Sequence, residues 1–259
     1  WLKACSQVVV SSEFVAGDLR RFYPEWAHKT RVIRLGIPSV EHEPTQEQVE
    51  SYRQRKALPE RFVLVAGWVT EHKNQQVVFE AVAKLRDQGV RIPVFLVGPN
   101  ADILNKKSLV KASDYAFRIL QFCKQAGLRN GADYFSLGFV ADFELECLYR
   151  CATVLVVPTL TEAGSFPARE AMRAGCPVAY SNIPAFQEEA GLLENNAWMF
   201  PAHDSCALAE IIREIANDPE KTRLRARAAQ RLVNSVFCWR KTARGYFSIF
   251  EQLARTEQS

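Results

Sequence analysis

Residues 153–181 read TVLVVPTLTEAGSFPAREAMRAGCPVAYS, and this segment decides the fold. The β-branched and leucine residues at 153–157 predict a buried strand. A helix follows at 167–174, with Pro167 in its first turn, and the apolar run at 178–180 predicts another strand. The succession of strand, helix and strand is typical of a parallel sheet with helical crossovers.

Short apolar runs alternate with amphipathic segments on both sides of this segment. We expect six strands, at 62–66, 94–97, 134–137, 153–157, 178–180 and 198–200. A helix begins near Lys73 and closes at Gly89, and its apolar face holds Val77, Val78, Ala81, Val82 and Leu85. Further helices are predicted at 143–151 and within the segment 101–127, most clearly at 115–125. Near-continuous apolar strands suit a sheet covered on both faces. The sequence therefore predicts a doubly wound, Rossmann-like α/β domain that binds ligands at the carboxyl ends of its strands.

The two ends of the chain differ from this pattern. Residues 1–37 contain a predicted strand at 7–10, a helix at 12–22 and a strand at 31–35, which resemble the end of another domain. A polar stretch at 41–60 separates them from the sheet. We therefore expect a domain end at 1–37, a linker at 38–60 and the Rossmann-like domain at 61–259. Its residues 204–254 are helical, with Asp218 capping a helix that has Pro219 in its first turn. Because the chain starts at Trp1 rather than Met, we expect further residues upstream.

Composition excludes several classes of protein. Among 259 residues, 33 are basic and 29 acidic, and the resulting charge of +4 is too small to favour nucleic acid as a partner. One helix face carries Arg223, Arg227 and Arg231, and we expect this face to be solvated rather than to contact an anionic membrane or substrate. The seven cysteines, odd in number and irregularly spaced, favour reduced thiols and a cytoplasmic location. The sequence contains neither a P-loop nor a G-x-G-x-x-G fingerprint, which argues against kinases and dehydrogenases.

Polar residues cluster where the predicted buried strand at 153–157 ends. Gly164 and Ser165 come just before the helix, so its free N–H groups and partial positive charge form an anion site there. Glu162 precedes the helix and Glu170 lies eight positions later. The two carboxylates suit neutral hydroxyl groups and the N–H groups suit phosphate, and a sugar nucleotide carries both. The alternative is that Glu162 is a charged loop residue and Glu170 a solvated helix residue.

The same segment resembles the Glu-x7-Glu signature of the retaining family 4 glycosyltransferases. Its residues agree with that pattern, in order and without gaps, at Glu162, Gly164, Pro167, Glu170, Ala171, Met172, Gly175, Pro177 and Val178. It departs from the pattern at Ala163, Ser165 and Phe166.

Other parts of the chain resemble the same family. The loop at 67–74, which includes Gly67, resembles the loop that supplies an Arg and a Lys to the donor diphosphate. Lys73 occupies the Lys position, whereas Trp68 stands where Arg is usual. Residues 138–140 (Gly138, Phe139 and Val140) resemble the turn whose backbone reads the nucleotide base. Residues 11–15 and 35–37 resemble the end of the family's N-terminal domain.

The resemblance implies the donor-binding C-terminal half of a GT-B enzyme. Such an enzyme transfers a sugar from a UDP- or GDP-sugar to a glycan or lipid-linked acceptor with retention, and needs no metal or other cofactor. Lys73 and the N–H groups of Ser165 and Phe166 would stabilise the leaving phosphate, and Glu170 would bind the ribose. Glu162 would orient the donor sugar, a role ranked above that of covalent nucleophile. The acceptor-side domain lies outside these residues, which leaves peripheral association with the membrane open.

Several alternatives stay open at this point. The chain could be a catalytically degenerate nucleotide-sugar-binding or regulatory module, or serve another GT-B reaction such as epimerisation or phosphorolysis. His72 could contact phosphate or sugar, or stabilise its turn as a neutral imidazole. Glu188 is expected to cap a helix or to carry surface charge.

Overall fold

The computed structural model describes residues 1–38, 40, 42–105 and 114–256. Near the amino terminus a small parallel sheet holds β1 (Val8–Val10) and β2 (Thr30–Val32). The main sheet has six strands, all parallel to their neighbours: β3 (Val63–Ala66), β4 (Val94–Val97), β5 (Tyr134–Gly138), β6 (Val154–Val157), β7 (Val178–Ser181) and β8 (Trp198–Phe200). The six predicted strands and the α/β Rossmann-like fold are confirmed.

The α-helices within the described residues are α1 (Glu13–Phe22), α2 (Gln46–Arg55), α3 (Gln76–Asp87), α4 (Asp114–Gln125), α5 (Asp142–Cys151), α6 (Phe166–Arg173), α7 (Pro184–Leu192), α8 (Ser205–Asn217), α9 (Pro219–Val236) and α10 (Trp239–Thr256). Three 3₁₀ turns lie at Pro24–Lys29, Glu71–Lys73 and Ala101–Asn105. In the part of the chain that the structure describes, no helix is both long and apolar enough to cross a bilayer.

The order of the strands determines where a crevice opens at the edge of the sheet. The strands lie in the order β5, β4, β3, β6, β7, β8. From β3 the chain adds β4 and β5 towards one edge of the sheet and then returns to add β6, β7 and β8 towards the other edge, so the strand order reverses between β3 and β6. Val63 and Val65 face one core together with α3, whereas Leu64 faces a second core together with α6. Because the helices after β3 and β6 lie on opposite faces, a crevice opens between the carboxyl ends of these two strands.

The helix predicted to begin near Lys73 starts later than expected. Residues Glu71–Lys73 form a 3₁₀ turn, Asn74 adopts a left-handed conformation with φ of 52°, and α3 begins at Gln76. The side chain of Asn74 donates hydrogen bonds to the carbonyls of Pro158 (3.2 Å) and Ala202 (2.7 Å), which stabilises this turn. The predicted apolar face of α3 is buried, and Gly89 follows the helix with φ of +82°.

The polar stretch at 41–60 contains a helix that the sequence pattern missed. Thr45 and Gln48 form a reciprocal capping box at the start of α2, and Val49 and Tyr52 are buried against the core that includes α5. Two apolar side chains in ten residues give too weak a period to detect. The proposed division at 37 and 60 stays a prediction, and Glu41, the first residue of that stretch, lies outside the described residues.

Two other segments differ from expectation, and a third is described only in part. Strand β2 ends at Val32 rather than at residue 35, because the next residues leave it to contact α10: Ile33 packs against Gly245 and the Arg34 carbonyl accepts from Thr242. Helix α7 was not predicted, since it buries a charged residue, Glu189, beside small apolar ones. Of the segment 101–127, residues 106–113 lie outside the described residues, and α4 confirms the part at 115–125.

The amino-terminal segment packs closely on the main domain. Gly36 lies so close to Trp239 that a Cβ atom at position 36 would overlap the backbone nitrogen of Trp239. Glu188 of α7 accepts the N–H groups of Glu13 (3.0 Å) and Phe14 (2.7 Å) at the start of α1, and Arg34 donates to it at 3.0 Å. The prediction that Glu188 caps a helix is confirmed, and the helix is one from the other end of the chain.

Candidate functional site

The loop after β3 forms one wall of the crevice. Gly67 has φ of +139°, and its N–H donates to Val97 at the end of β4. The backbone there is so close to Gly98 that a Cβ on Gly98 would lie 2.8 Å from the Gly67 carbonyl oxygen. Glycine at both positions lets the two loops pass each other. Trp68 follows with 55% exposure, and its carbonyl accepts from the buried side chain of Gln75.

The loops after β3 and β6 are joined by several contacts. The Leu160 N–H donates to the His72 carbonyl at 2.8 Å. Lys73 Nζ forms an ion pair with Glu162 Oε1, and both side chains are largely covered. The structure therefore brings together the two predicted catalytic residues, which lie 89 positions apart in the sequence. An ammonium group in this crevice can bind a carboxylate or, in exchange, a phosphate.

His72 precedes Lys73 in the 3₁₀ turn at Glu71–Lys73. Its Nδ1 is 3.2 Å from the hydroxyl oxygen of Thr70, within hydrogen-bond distance. This contact within the 3₁₀ turn is the one expected if His72 stabilises the turn.

Helix α6 begins on the β6 side of the crevice. Ser165 is the N-cap, and its hydroxyl oxygen accepts the Ala168 N–H at 3.3 Å. Gly164 has φ of +153° and Phe166 is the first helical residue. The helix starts four residues after Glu162 in the sequence, and the partial positive charge of its first turn suits an anion.

Glu170 lies one turn into α6, in a cavity of about 620 Å³. Tyr149 of α5 donates its hydroxyl hydrogen to Glu170 Oε2 at 3.2 Å. Burial raises the pKa of Glu170, and the Tyr149 hydrogen bond and Arg173 oppose this shift. The lining residues are Pro38, Val40, His42, Asp142, Phe143, Leu145, Glu146, Tyr149, Glu170 and Arg173. A partly buried carboxylate in a cavity of this size can accept hydrogen bonds from hydroxyl groups of a ligand.

The turn at the end of β5 borders the same edge of the sheet. Gly138 has φ of +72°, and its carbonyl accepts the Gly98 N–H at 2.8 Å. The Phe139 side chain is 77% exposed, and Val140 packs against the core. Asp142 and Phe143, which line the cavity, follow directly after this turn. The turn thus connects the sheet edge with the cavity that holds Glu170.

Sequence reasoning missed several residues of the site. Tyr149 was not predicted to contact Glu170. Glu146 is buried and binds Arg173 at 2.8 Å and Arg150 at 3.3 Å beneath the cavity. The spacing of Glu146 and Arg150 on a helix was an available signal for their pairing. Two further contacts, of Glu146 with Arg173 and of Tyr149 with Glu170, join α5 to α6. Residues on different helices have no fixed separation in the sequence, so no sequence pattern predicts these contacts.

Comparison with known proteins assigns the chain to a family. A family model described as "Glycosyl transferases group 1" matches residues 48–232. The chain belongs to this family. The match includes Glu170, the loop at 67–74 and the turn at 138–140, whereas Pro38, Val40 and His42 of the cavity lie outside it. It also includes most of α2, within the stretch predicted to be a linker.

Two curated relatives illustrate where this group 1 glycosyltransferase chain aligns. It is 26% identical over 217 residues to the serotype-specific mannosyltransferase WbdA of Escherichia coli. The aligned region covers 82% of the chain and 24% of the relative. It is also 26% identical over 237 residues to the D-inositol 3-phosphate glycosyltransferase of Streptomyces avermitilis, over 88% of the chain and 48% of the relative. The chain spans half or less of the length of these two relatives.

Solved structures share the fold. The sucrose-phosphate synthase of Thermosynechococcus elongatus superposes with a TM-score of 0.77 at 24% identity, covering 98% of the chain and 60% of that protein. Anabaena Alr3699/HepE, solved in complex with UDP-glucose, superposes with a TM-score of 0.77 at 22% identity, covering 97% and 64%. These neighbours have the GT-B fold, and the group 1 glycosyltransferase chain corresponds to about three-fifths of each.

Proposed function

We propose that this chain supplies the donor-binding half of a retaining glycosyltransferase that uses a UDP- or GDP-sugar. The observation that carries the proposal is the convergence of Lys73, Glu162 and the first turn of α6 at the point where the strand order reverses. Ligands of doubly wound sheets bind at that point. The mannosyltransferase name of one relative and the UDP-glucose complex of one neighbour support a nucleotide-sugar donor.

The donor would occupy the crevice with each part against a group of matching chemistry. The diphosphate would replace Glu162 as the partner of Lys73 and accept from the N–H groups of Ser165 and Phe166. The ribose hydroxyl groups would donate to Glu170 in the adjacent cavity. The base would lie against the backbone of residues 138–140. Trp68, which stands where the family has an Arg, leaves Lys73 as the charged side chain of its loop that reaches Glu162.

The transfer step follows from this placement. Breaking the bond between the sugar and the diphosphate builds negative charge on the leaving oxygen. Lys73 and the N-terminus of α6 are fixed before the reaction, so they stabilise that charge without reorganising. Glu162, released from Lys73, would orient the sugar hydroxyl groups. Retention of configuration is proposed from the family resemblance. A glycan or lipid-linked acceptor would bind to a part of the protein outside these residues.

Calorimetric titration tests the donor site. UDP or GDP should bind the chain, and Lys73→Ala should weaken UDP binding by about tenfold or more while changing UMP binding much less, since charge-assisted contacts contribute about 1.5–3 kcal/mol. Lys56→Ala is the matched control, because Lys56 also pairs with a carboxylate, that of Glu144, at 2.9 Å. A folded chain that binds neither nucleotide at millimolar concentration would refute the proposal.

A further inference from the structure

A buried ion pair lies directly beneath the start of α6. Arg169 donates from Nε to Glu189 Oε1 at 3.1 Å and from Nη2 to Glu189 Oε2 at 2.9 Å. The side chains are 7% and 3% exposed. Tyr180 of β7 donates its hydroxyl hydrogen to Glu189 Oε1 at 2.8 Å. The pair is therefore bidentate, held on a third side, and fixed in one orientation.

The backbone of Gly164 rests on this pair. A Cβ atom on Gly164 would lie 2.6 Å from Arg169 Nη2 and 3.6 Å from Glu189 Oε2. The guanidinium group thus occupies the space that a side chain at 164 would need. The Gly164 backbone, which leads into Ser165 and Phe166, therefore packs directly against the guanidinium.

Aromatic rings hold Arg169 from other directions. Its guanidinium carbon is 4.0 Å from the centre of the Phe237 ring and 5.7 Å from that of Phe166. The arginine therefore cannot shift without moving α7, the end of α9 or the first residue of α6.

Energetics favours a positional role for this cluster. Apolar residues of similar volume often match or exceed the stability of a buried ion pair, because desolvation of the two charges offsets their attraction. A planar, bidentate pair fixes distances more tightly than apolar packing does. Resting on the proposed function, we propose that Arg169 and Glu189 are positioning residues that hold the Gly164–Phe166 backbone in the geometry that binds the β-phosphate of the donor.

The test separates positioning from stability. Arg169→Met leaves Glu189 buried without its partner and should lower the melting temperature by about 10 °C. The triple change Arg169→Met, Glu189→Leu and Tyr180→Phe removes every member of the cluster and should restore the melting temperature to within a few degrees of the parent. The readout is the ratio of the UMP and UDP dissociation constants, and of the GMP and GDP constants, by calorimetry. Of these two ratios, the one that is larger in the parent should be about tenfold smaller in the triple variant.

The control is Arg225→Met. Arg225 lies 4.1 Å from the Trp198 ring centre and donates to the carbonyls of Asn195 (2.8 Å) and Ala197 (2.7 Å), at the β8 edge of the sheet. It should lower the melting temperature and leave the nucleotide ratio unchanged.

The outcomes are distinct. A triple variant with restored stability and a parental ratio would overturn the positioning role. A parent that binds none of the four nucleotides would overturn the proposed function itself, and the positioning role with it. If the triple variant does not fold, Glu189→Gln serves in its place. It should speed amide hydrogen exchange at Gly164 to Phe166 about fivefold without affecting α5, and unchanged exchange would overturn the proposal.

Discussion

Replacing Glu162 by Gln tests whether the ion pair in the crevice competes with the donor. Lys73 is bound to Glu162. A diphosphate that enters the crevice must displace this carboxylate and then lies beside a like charge. Glu162→Gln removes both obstacles while keeping the shape of the side chain. We therefore expect tighter binding of UDP and, because the proposed sugar contact is altered, weaker additional binding from the sugar of UDP-glucose.

The size of the effect follows from the burial of the pair. The Lys73 and Glu162 side chains are 26% and 23% exposed, so the pair is neither solvated nor fully buried. At about 4 Å and an effective dielectric constant of about 20, the attraction of two unit charges is about 4 kcal/mol. Desolvation and side-chain ordering offset most of it, and exposed pairs retain about 0.2–1 kcal/mol. Taking about 1 kcal/mol for this better-covered pair, UDP should bind about fivefold more tightly.

Calorimetry on the parent and on Glu162→Gln, at fixed salt, measures the change. Glu144→Gln, which breaks the pair of Glu144 with Lys56, is the matched control and should leave UDP affinity unchanged. Competition between Glu162 and the diphosphate is refuted if Glu162→Gln binds UDP as the parent does, or more weakly, while its unfolding transition stays the same. That result would mean that Lys73 does not exchange the carboxylate for the diphosphate.

Three further predictions concern the cavity, the second helix and the sheet edge. The Tyr149 hydrogen bond opposes the raised pKa of Glu170, so Tyr149→Phe should raise that pKa further. Because the ionised carboxylate is the better acceptor for ribose, UDP affinity should fall as the pH is lowered, and in Tyr149→Phe the fall should begin at a higher pH than in the parent. Calorimetry between pH 5 and 8 measures this difference. Tyr52→Ala should cost about 3–5 kcal/mol in urea unfolding because the ring is buried, whereas a value below about 0.5 kcal/mol would mean that α2 is a loose linker. Gly98→Ala should cost about 1–3 kcal/mol, as its Cβ would lie 2.8 Å from the Gly67 carbonyl, and an unchanged urea midpoint would contradict that close approach.

The sequence predicted the main sheet well because each strand carries its own signal. The runs at 62–66, 94–97 and 153–157 are apolar enough to be buried on both faces, and the structure places them at the centre of the sheet. The segment after β6 was informative for the site, since a strand end, a glycine and a helix start are local features. The family resemblance assigned both Lys73 and Glu162 to the donor but did not predict their ion pair.

The missed elements depend on contacts between distant parts of the chain. Helix α2 has few apolar residues, and its burial depends on α5. Helix α7 buries Glu189, a residue that sequence patterns assign to solvent, because Arg169 and Tyr180 neutralise and hold it. The burial of Glu170 depends on Tyr149 in another helix. Local hydrophobic period carries no information about such partners.

The cap that Glu188 provides for α1 has a consequence for how the polypeptide can be divided. Its carboxylate satisfies amides that lie 174 and 175 positions away, and the Ile37 N–H donates to the Phe237 carbonyl at 3.0 Å. In a fragment starting at residue 38, Glu188 would lose Arg34 and both amides as hydrogen-bond partners, and Trp239 would lose its contact with Gly36. Chimeras between related transferases should therefore exchange residues 8–37 together with α7 and α10, because a join chosen from sequence spacing alone would cut through one folding unit.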